Sequence, residues 1–126
     1  MALSLSALTA TAGVRAAAAT FDAIALEEGR RSTVAAFSTA RRLAFLENRT
    51  VRARVDILAS TIVLSDDDSV RLRLALPRGI LIQAAPADGD VAFFAGARAE
   101  NATIVLGRAT AGPQRRIVVN QRGRIR

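Results

Sequence analysis

The side chains that most often carry chemistry are missing from this sequence. It contains no His, Cys, Lys, Tyr or Trp, so the usual general base, thiol nucleophile, Schiff-base amine and phenol are all absent. Carboxylates remain, and a glycosidase-like pair would have to come from Asp56, Asp88 or Glu100. Nothing in their spacing brings two of them together. Asp66, Asp67 and Asp68 are consecutive, whereas a calcium loop sets its carboxylates at alternate positions and adds a glycine and a later bidentate acid. Three adjacent acids repel each other in any buried place, so Ser65 to Ser69 reads as a solvated hairpin tip. No glycine-rich phosphate cradle follows a strand and opens a helix. The expectation is a chain that is not an enzyme and takes neither metal nor cofactor.

Arginine is the one chemically assertive residue type. All 18 basic residues are Arg, set against 11 acids for a net charge of +7. No acid follows Glu100, while Arg108, Arg115, Arg116, Arg122, Arg124 and Arg126 do, so most of the excess lies in the last quarter of the chain. Arg115, Arg116, Arg122, Arg124 and Arg126 are therefore candidate phosphate contacts, against the plainer alternative that they keep a terminal strand soluble. No aromatic residue follows Phe94. Base stacking by this tail is not expected, and nucleic-acid binding through it would be indifferent to sequence.

The elements that would position these groups fall into two kinds. Met1 to Asn48 holds no proline and is rich in Ala, Leu, Glu and Arg, the residues that lose least on entering a helix. Val34, Phe37, Ala40 and Ala44, with Arg41 and Leu43 at the edges, recur at helical steps and make one small apolar face. Gly29, beside Ser32 and Thr33, is the soft point where a bend is expected, and Asn48 is a natural stop. Met1 to Val14 is apolar but reaches only about fourteen residues before Arg15, short of the roughly twenty that a membrane span needs. A signal peptide is the competing reading, but its positive leading region is missing. The economical expectation is that Met1 lies inside a longer hydrophobic helix, with residues 1–24 as a shaft portion and 25–126 as a globular domain.

From Thr50 the period changes to two. Val51, Ala53 and Val55 alternate with Arg52, Arg54 and Asp56. Thr61 to Leu64 is a second strand, and Val70, Leu72, Leu74 and Leu76 are expected on the buried face of a third. Ile80 to Ala84, Val91 to Ala95, Thr103 to Leu106 and Arg115 to Asn120 follow, separated by Pro77-Arg78-Gly79, Pro86 to Asp90, Gly96 to Asn101 and Ala111-Gly112-Pro113. With no crossover helices between them these strands must be antiparallel and meander. The fold class is α+β, one long helix packed on an antiparallel β domain.

These residues resemble the GspH/FimT group of minor pilins and pseudopilins, within the type IV pilin-like class. The resemblance is carried by Ala40-Arg41, Ala44, Asn48-Arg49 and Val51 at the helix-to-strand junction, and by Val91 to Gly96 with Ile104 and Leu106 after it. The ending from Arg115 to Arg126 completes it, and nearly the whole chain is covered. The family's processing site, a glycine followed by Phe and then a Glu, is absent, which fits a start inside the helix. The resemblance implies a subunit held in the bacterial inner membrane by a single-pass helix, with a periplasmic head, assembled with other minor subunits into a filament. Leu3, Leu5, Leu8, Val14, Phe21 and Ile24 would pack on partner helices, since a head domain cannot reach so far down the shaft. Of the two roles in the group, a minor pseudopilin of type II secretion is preferred. The alternative is a FimT-like pilin that takes up DNA, because Gly123-Arg124-Ile125-Arg126 resembles the Gly-Arg-x-Arg ending of DNA-binding members.

Overall fold

A computed structural model describes the backbone of residues 2–109 and 112–126 and the side chains from residue 18 onward. Among the described residues a helix α1 (Ala2–Glu47) precedes seven strands: β1 (Val51–Asp56), β2 (Thr61–Ser65), β3 (Val70–Ala75), β4 (Leu81–Ala84), β5 (Asp90–Phe93), β6 (Ala102–Gly107) and β7 (Arg115–Val119). Every strand pair is antiparallel. The meander, however, holds only for β1 to β3. The strands divide into a four-stranded sheet ordered β3-β2-β1-β5 and a three-stranded sheet ordered β4-β6-β7. β4 crosses to the second sheet, and β5 returns to pair with β1.

The helix lies against both sheets and touches every strand except β4 in strength. What lets it come so close is a seam of small residues. Thr33, Ala36, Ala40 and Ala44 are all buried, at 0–3% exposure, and Gly29 belongs to the same seam. Gly29 thus has a use other than the expected bend: a Cβ there would sit 3.4 Å from Ile80 Cγ2 and 3.6 Å from both Leu106 Cδ1 and Pro77 Cδ. Thr33 donates its hydroxyl to the Gly29 carbonyl at 2.8 Å, so the one buried polar side chain of the seam is satisfied within the helix. Phe37 fills the space that the small residues leave, packing on Phe93 with ring centroids 5.8 Å apart. The helix stops where expected. Asn48 adopts a left-handed φ of 52°, and the Arg49 amide donates back to the Ala44 carbonyl at 3.2 Å.

β1 and β7 alternate as their sequences require, with Val51, Ala53, Val55, Ile117 and Val119 inside. β3 does not. Leu76 is buried and Leu74 packs on the core, but Val70 and Leu72 are 49% and 40% exposed. β3 is the outer strand of its sheet, and a register shift at Leu64/Ser65 slips its first residue relative to β2.

The acidic tip also differs from the expected solvated turn. Asp67 and Asp68 are exposed, but the Asp66 carboxylate is only 2% exposed. It accepts the amides of Asp68 and Ser69 at 2.9 Å each and the Arg71 guanidinium at 3.0 Å. Those two backbone N–H groups, with Arg71 next, hold its pKa down from 3.8 to about 2. Arg71 also donates to Glu47 at 2.8 Å, and Arg49 to Asp68 at 2.8 Å. The turn therefore clamps the end of α1 to the first sheet, with like charges separated by arginines.

Two phenylalanines one helical face apart should respond oppositely to truncation. Phe37→Ala is expected to cost about 3–5 kcal/mol, whereas Phe45→Ala, at a residue 64% exposed, should stay within about 0.5 kcal/mol; denaturant titration of both variants measures this. The lowered Asp66 carboxyl contributes stability that is complete above its unfolded value of 3.8 and is lost as pH falls toward about 2. The thermal midpoint should hold from pH 7 to 5 and drop below pH 4. Asp66→Asn should be destabilised at neutral pH and show a shallower acid limb, and an unchanged limb would contradict the clamp.

Candidate functional site

Two surfaces carry the residues singled out above: the outer face of α1 and the arginine-rich ending. Leu3, Leu5, Leu8 and Val14 lie within α1, but their side chains are outside the described residues. Phe21 and Ile24 are 72% and 59% exposed, and with Ala18, Ala19 and Ala23 they leave an apolar surface that no strand covers. Leu26, two residues on, is 1% exposed. The apolar residues of the helix thus divide: Leu26, Val34 and Phe37 serve the chain's own core, and Phe21 and Ile24 do not. No helix among the described residues is long and apolar enough to cross a membrane.

Polar groups mark where the head grips the helix. Asp22 pairs with Arg108 after β6. Glu27 accepts from Arg30 at 2.7 Å and sits 3.4 Å from both Arg31 and Arg115. The Arg30 hydrogen bond, with the other arginines adding to it, lowers the Glu27 pKa from 4.5 to about 2. Arg115 is therefore a tie between β7 and α1, which the sequence could not disclose because the two lie 88 positions apart.

The remaining tail arginines are free. After β7 the chain turns at Asn120, whose side-chain oxygen accepts the amides of Arg122 and Arg124 at 3.0 Å each. It then runs back along β7, where Val118 and Arg126 exchange two backbone bonds of 2.9 Å and Val119 bridges Ile125. Paired residues in an antiparallel ladder share a face. Ile125 thus joins Val119 on the core side, and Arg124 and Arg126 join Val118 and Arg116 on the solvent side. Arg116, Arg124 and Arg126 form one cationic sheet face without an ion pair among the described residues. Gly123 is there for the turn: its φ is +77°, and a Cβ would lie 2.7 Å from the Ala97 carbonyl oxygen and 3.0 Å from Arg41 Nε.

Arg122 points elsewhere. It lines a cleft of about 560 Å³ with Phe94, Arg98, Ala99 and Gln121. The order of residues along the chain suggested that no aromatic accompanies the tail, but the fold places Phe94, 38% exposed, beside Arg122. A neighbouring cleft of about 420 Å³ is lined by Ser38, Arg41, Arg42, Phe45 and Ala97. Only the three-dimensional return of the 94–98 turn to the helix brings these groups together. Among the described residues no group of three or more acidic side chains is arranged to hold a metal ion.

If Arg115 ties strand to helix while Arg116 does not, their neutral variants should differ. Arg115→Gln is expected to lower the thermal midpoint measurably, and Arg116→Gln to leave it within error; equal effects would contradict the assignment.

No family model and no curated protein matches the sequence. Among solved structures the chain is similar to the minor pseudopilin EpsH from the type 2 secretion system of Vibrio cholerae, with a TM-score of 0.66 at 12% identity, covering 81% of this chain and 94% of that one. It is also similar to the type IV minor pilin FimU of Pseudomonas aeruginosa, with a TM-score of 0.68 at 14% identity, covering 80% and 86%. The long helix, its seam of small residues and the antiparallel strands around it are thus the type IV pilin-like fold, the one that the resemblance to GspH-type pseudopilins and minor pilins implied.

Proposed function

We propose that this chain is a structural subunit, a minor pseudopilin of a type II secretion system, that joins a periplasmic filament through the outer face of α1. The observation that carries this reading is the division of the helix. In a fold shared with EpsH and FimU, the sheets cover α1 from Leu26 upward and leave Phe21 and Ile24 in solvent. Large apolar side chains left exposed on a regular helix are suited to packing on another helix. The full-length protein is proposed to reach the inner membrane through the same helix, with its head in the periplasm and other minor subunits as partners. No catalytic role is proposed.

A second reading, a FimT-like pilin that captures DNA, is favoured by a separate observation: Arg116, Arg124 and Arg126 share one solvent face. Three arginines in that arrangement suit phosphates along a backbone.

Each reading has its own test. Phe21→Ser with Ile24→Ser should leave the thermal midpoint nearly unchanged yet prevent incorporation into filaments, assayed by cross-linking in cells that carry the cognate system. A variant that still incorporates at the parental level would overturn helix-mediated assembly. For DNA, each neutralised phosphate adds about 0.9 to the slope of log affinity against log salt, so Arg116→Gln with Arg124→Gln and Arg126→Gln should flatten the slope by roughly 2 to 3. No binding by the parent at moderate salt would remove the uptake reading and leave secretion standing.

A further inference from the structure

The four-stranded sheet has two chemically opposite ends. In the β1–β5 pairing, Val51 sits opposite Phe93 at one end and Arg54 opposite Asp90 at the other. Beyond the second end lie the β1–β2 turn and the turn before β5. There Leu58 is 99% exposed and Ile57 47% exposed, flanked by the exposed acids Asp56 and Asp88. Asp56 accepts the Ala59 amide at 3.1 Å and Asp88 the Asp90 amide at 3.1 Å, so both carboxylates are fixed in place, and neither meets an arginine. Arg54, the nearest cation, is engaged by Asp90 at 3.3 Å. This end is a small apolar knob with a negative rim.

Beyond the first end lie the two clefts on either side of the Ala97 turn. Their linings include Arg41, Arg42, Arg98 and Arg122 with the exposed rings of Phe45 and Phe94. None of these four arginines makes an ion pair among the described residues, and neither lining contains a carboxylate. This end is concave, partly aromatic and positive. Knob and cleft therefore complement each other in shape, apolarity and sign, and because they occupy opposite ends of one sheet no single chain can join them.

We propose that the knob of one copy, Leu58 and Ile57 with Asp56 and Asp88, seats in the Arg41–Arg42–Arg98–Arg122 cleft of a second copy of this chain, a head-to-tail contact between head domains. Leu58 and Ile57 fill the apolar floor beside Phe45 and Phe94, and the aspartates face the rim arginines. Such a contact is heterologous and does not close on itself, so it extends along a line of subunits. The apolar anchor supplies most of the affinity, and the charges set orientation and register. One contact of this size is weak in solution but gains from the high effective concentration of subunits already held side by side. It goes beyond helix-mediated assembly and does not depend on it, since no residue of the knob or cleft lies on the Phe21–Ile24 face. It is also separate from the Arg116–Arg124–Arg126 face.

The test uses the full chain and two variants. A knob variant carries Leu58→Ser, Asp56→Asn and Asp88→Asn; a cleft variant carries Arg98→Gln and Arg122→Gln. All the changed side chains are exposed, and circular dichroism checks that both variants fold. Sedimentation velocity over a wide concentration range should show the parent growing beyond a dimer, with each variant alone associating at least roughly tenfold more weakly. Mixed together, the two variants should form a heterodimer that grows no further, because only one intact knob and one intact cleft can meet. A monomeric parent at the highest concentration, or a mixture that stays monomeric, would overturn the contact. So would variants that associate as the parent does, an outcome that would assign association to the helix and leave the filament reading intact.

Discussion

The whole structure depends on how closely two sheets can approach one helix. Gly29, Thr33, Ala36, Ala40 and Ala44 put almost no side-chain bulk between the α1 backbone and the strands, and packing at that distance is what brings Phe37 onto Phe93. A larger residue at Gly29 would press on Ile80 and Leu106, one from the loop before β4 and one from β6, so the seam also decides how the second sheet sits on the helix. The clamp of Asp66, Arg71 and Glu47 at the top of the helix and the ties of Asp22 and Glu27 to Arg108 and Arg115 lower down mark the two ends of the gripped segment. Below it the helix continues without a sheet to cover it.

That boundary connects fold to function. Between Ile24 and Leu26 exposure falls from 59% to 1%, and the composition of the helix changes little across the step. What changes is the availability of a strand. The exposed apolar residues below the step cannot stabilise the isolated head, so their retention on an ordered helix is best explained by another helix that covers them in an assembly. The arginine ending follows the same division of labour. Gly123 and Ile125 serve the turn and the core, whereas Arg124 and Arg126 serve neither, so the Gly-Arg-x-Arg pattern mixes structural and solvent-facing residues in alternation.

Much of this was legible in the sequence because it depends on local period. The helix from the first residues to Asn48, the alternation of β1 and β7, and the antiparallel character of the strands follow from side-chain spacing and the lack of crossovers. The rest depends on partners distant in sequence. Nothing in Asp66-Asp67-Asp68 says that the first carboxylate turns inward to two amides while its neighbours stay in water. Nothing in Val70-Arg71-Leu72 says that the strand lies at an edge, where an alternating pattern no longer implies burial. The division into two sheets, the tie of Arg115 to Glu27 and the approach of Phe94 to Arg122 are likewise long-range, and period carries no information about them. The resemblance to the pilin-like group supplied the architecture that period could not, but not the contacts within it.

Native-state hydrogen exchange along α1 of the monomer tests the central claim most directly, because it reads the free energy of opening amide by amide. If the sheets hold the helix only from Leu26 upward, amides from there to Ala44 should exchange through global unfolding alone, with the full denaturant dependence of the whole domain. Amides before Phe21 should exchange through local opening, far faster and nearly independent of denaturant. Uniform protection along the entire helix would contradict the division on which the filament reading rests.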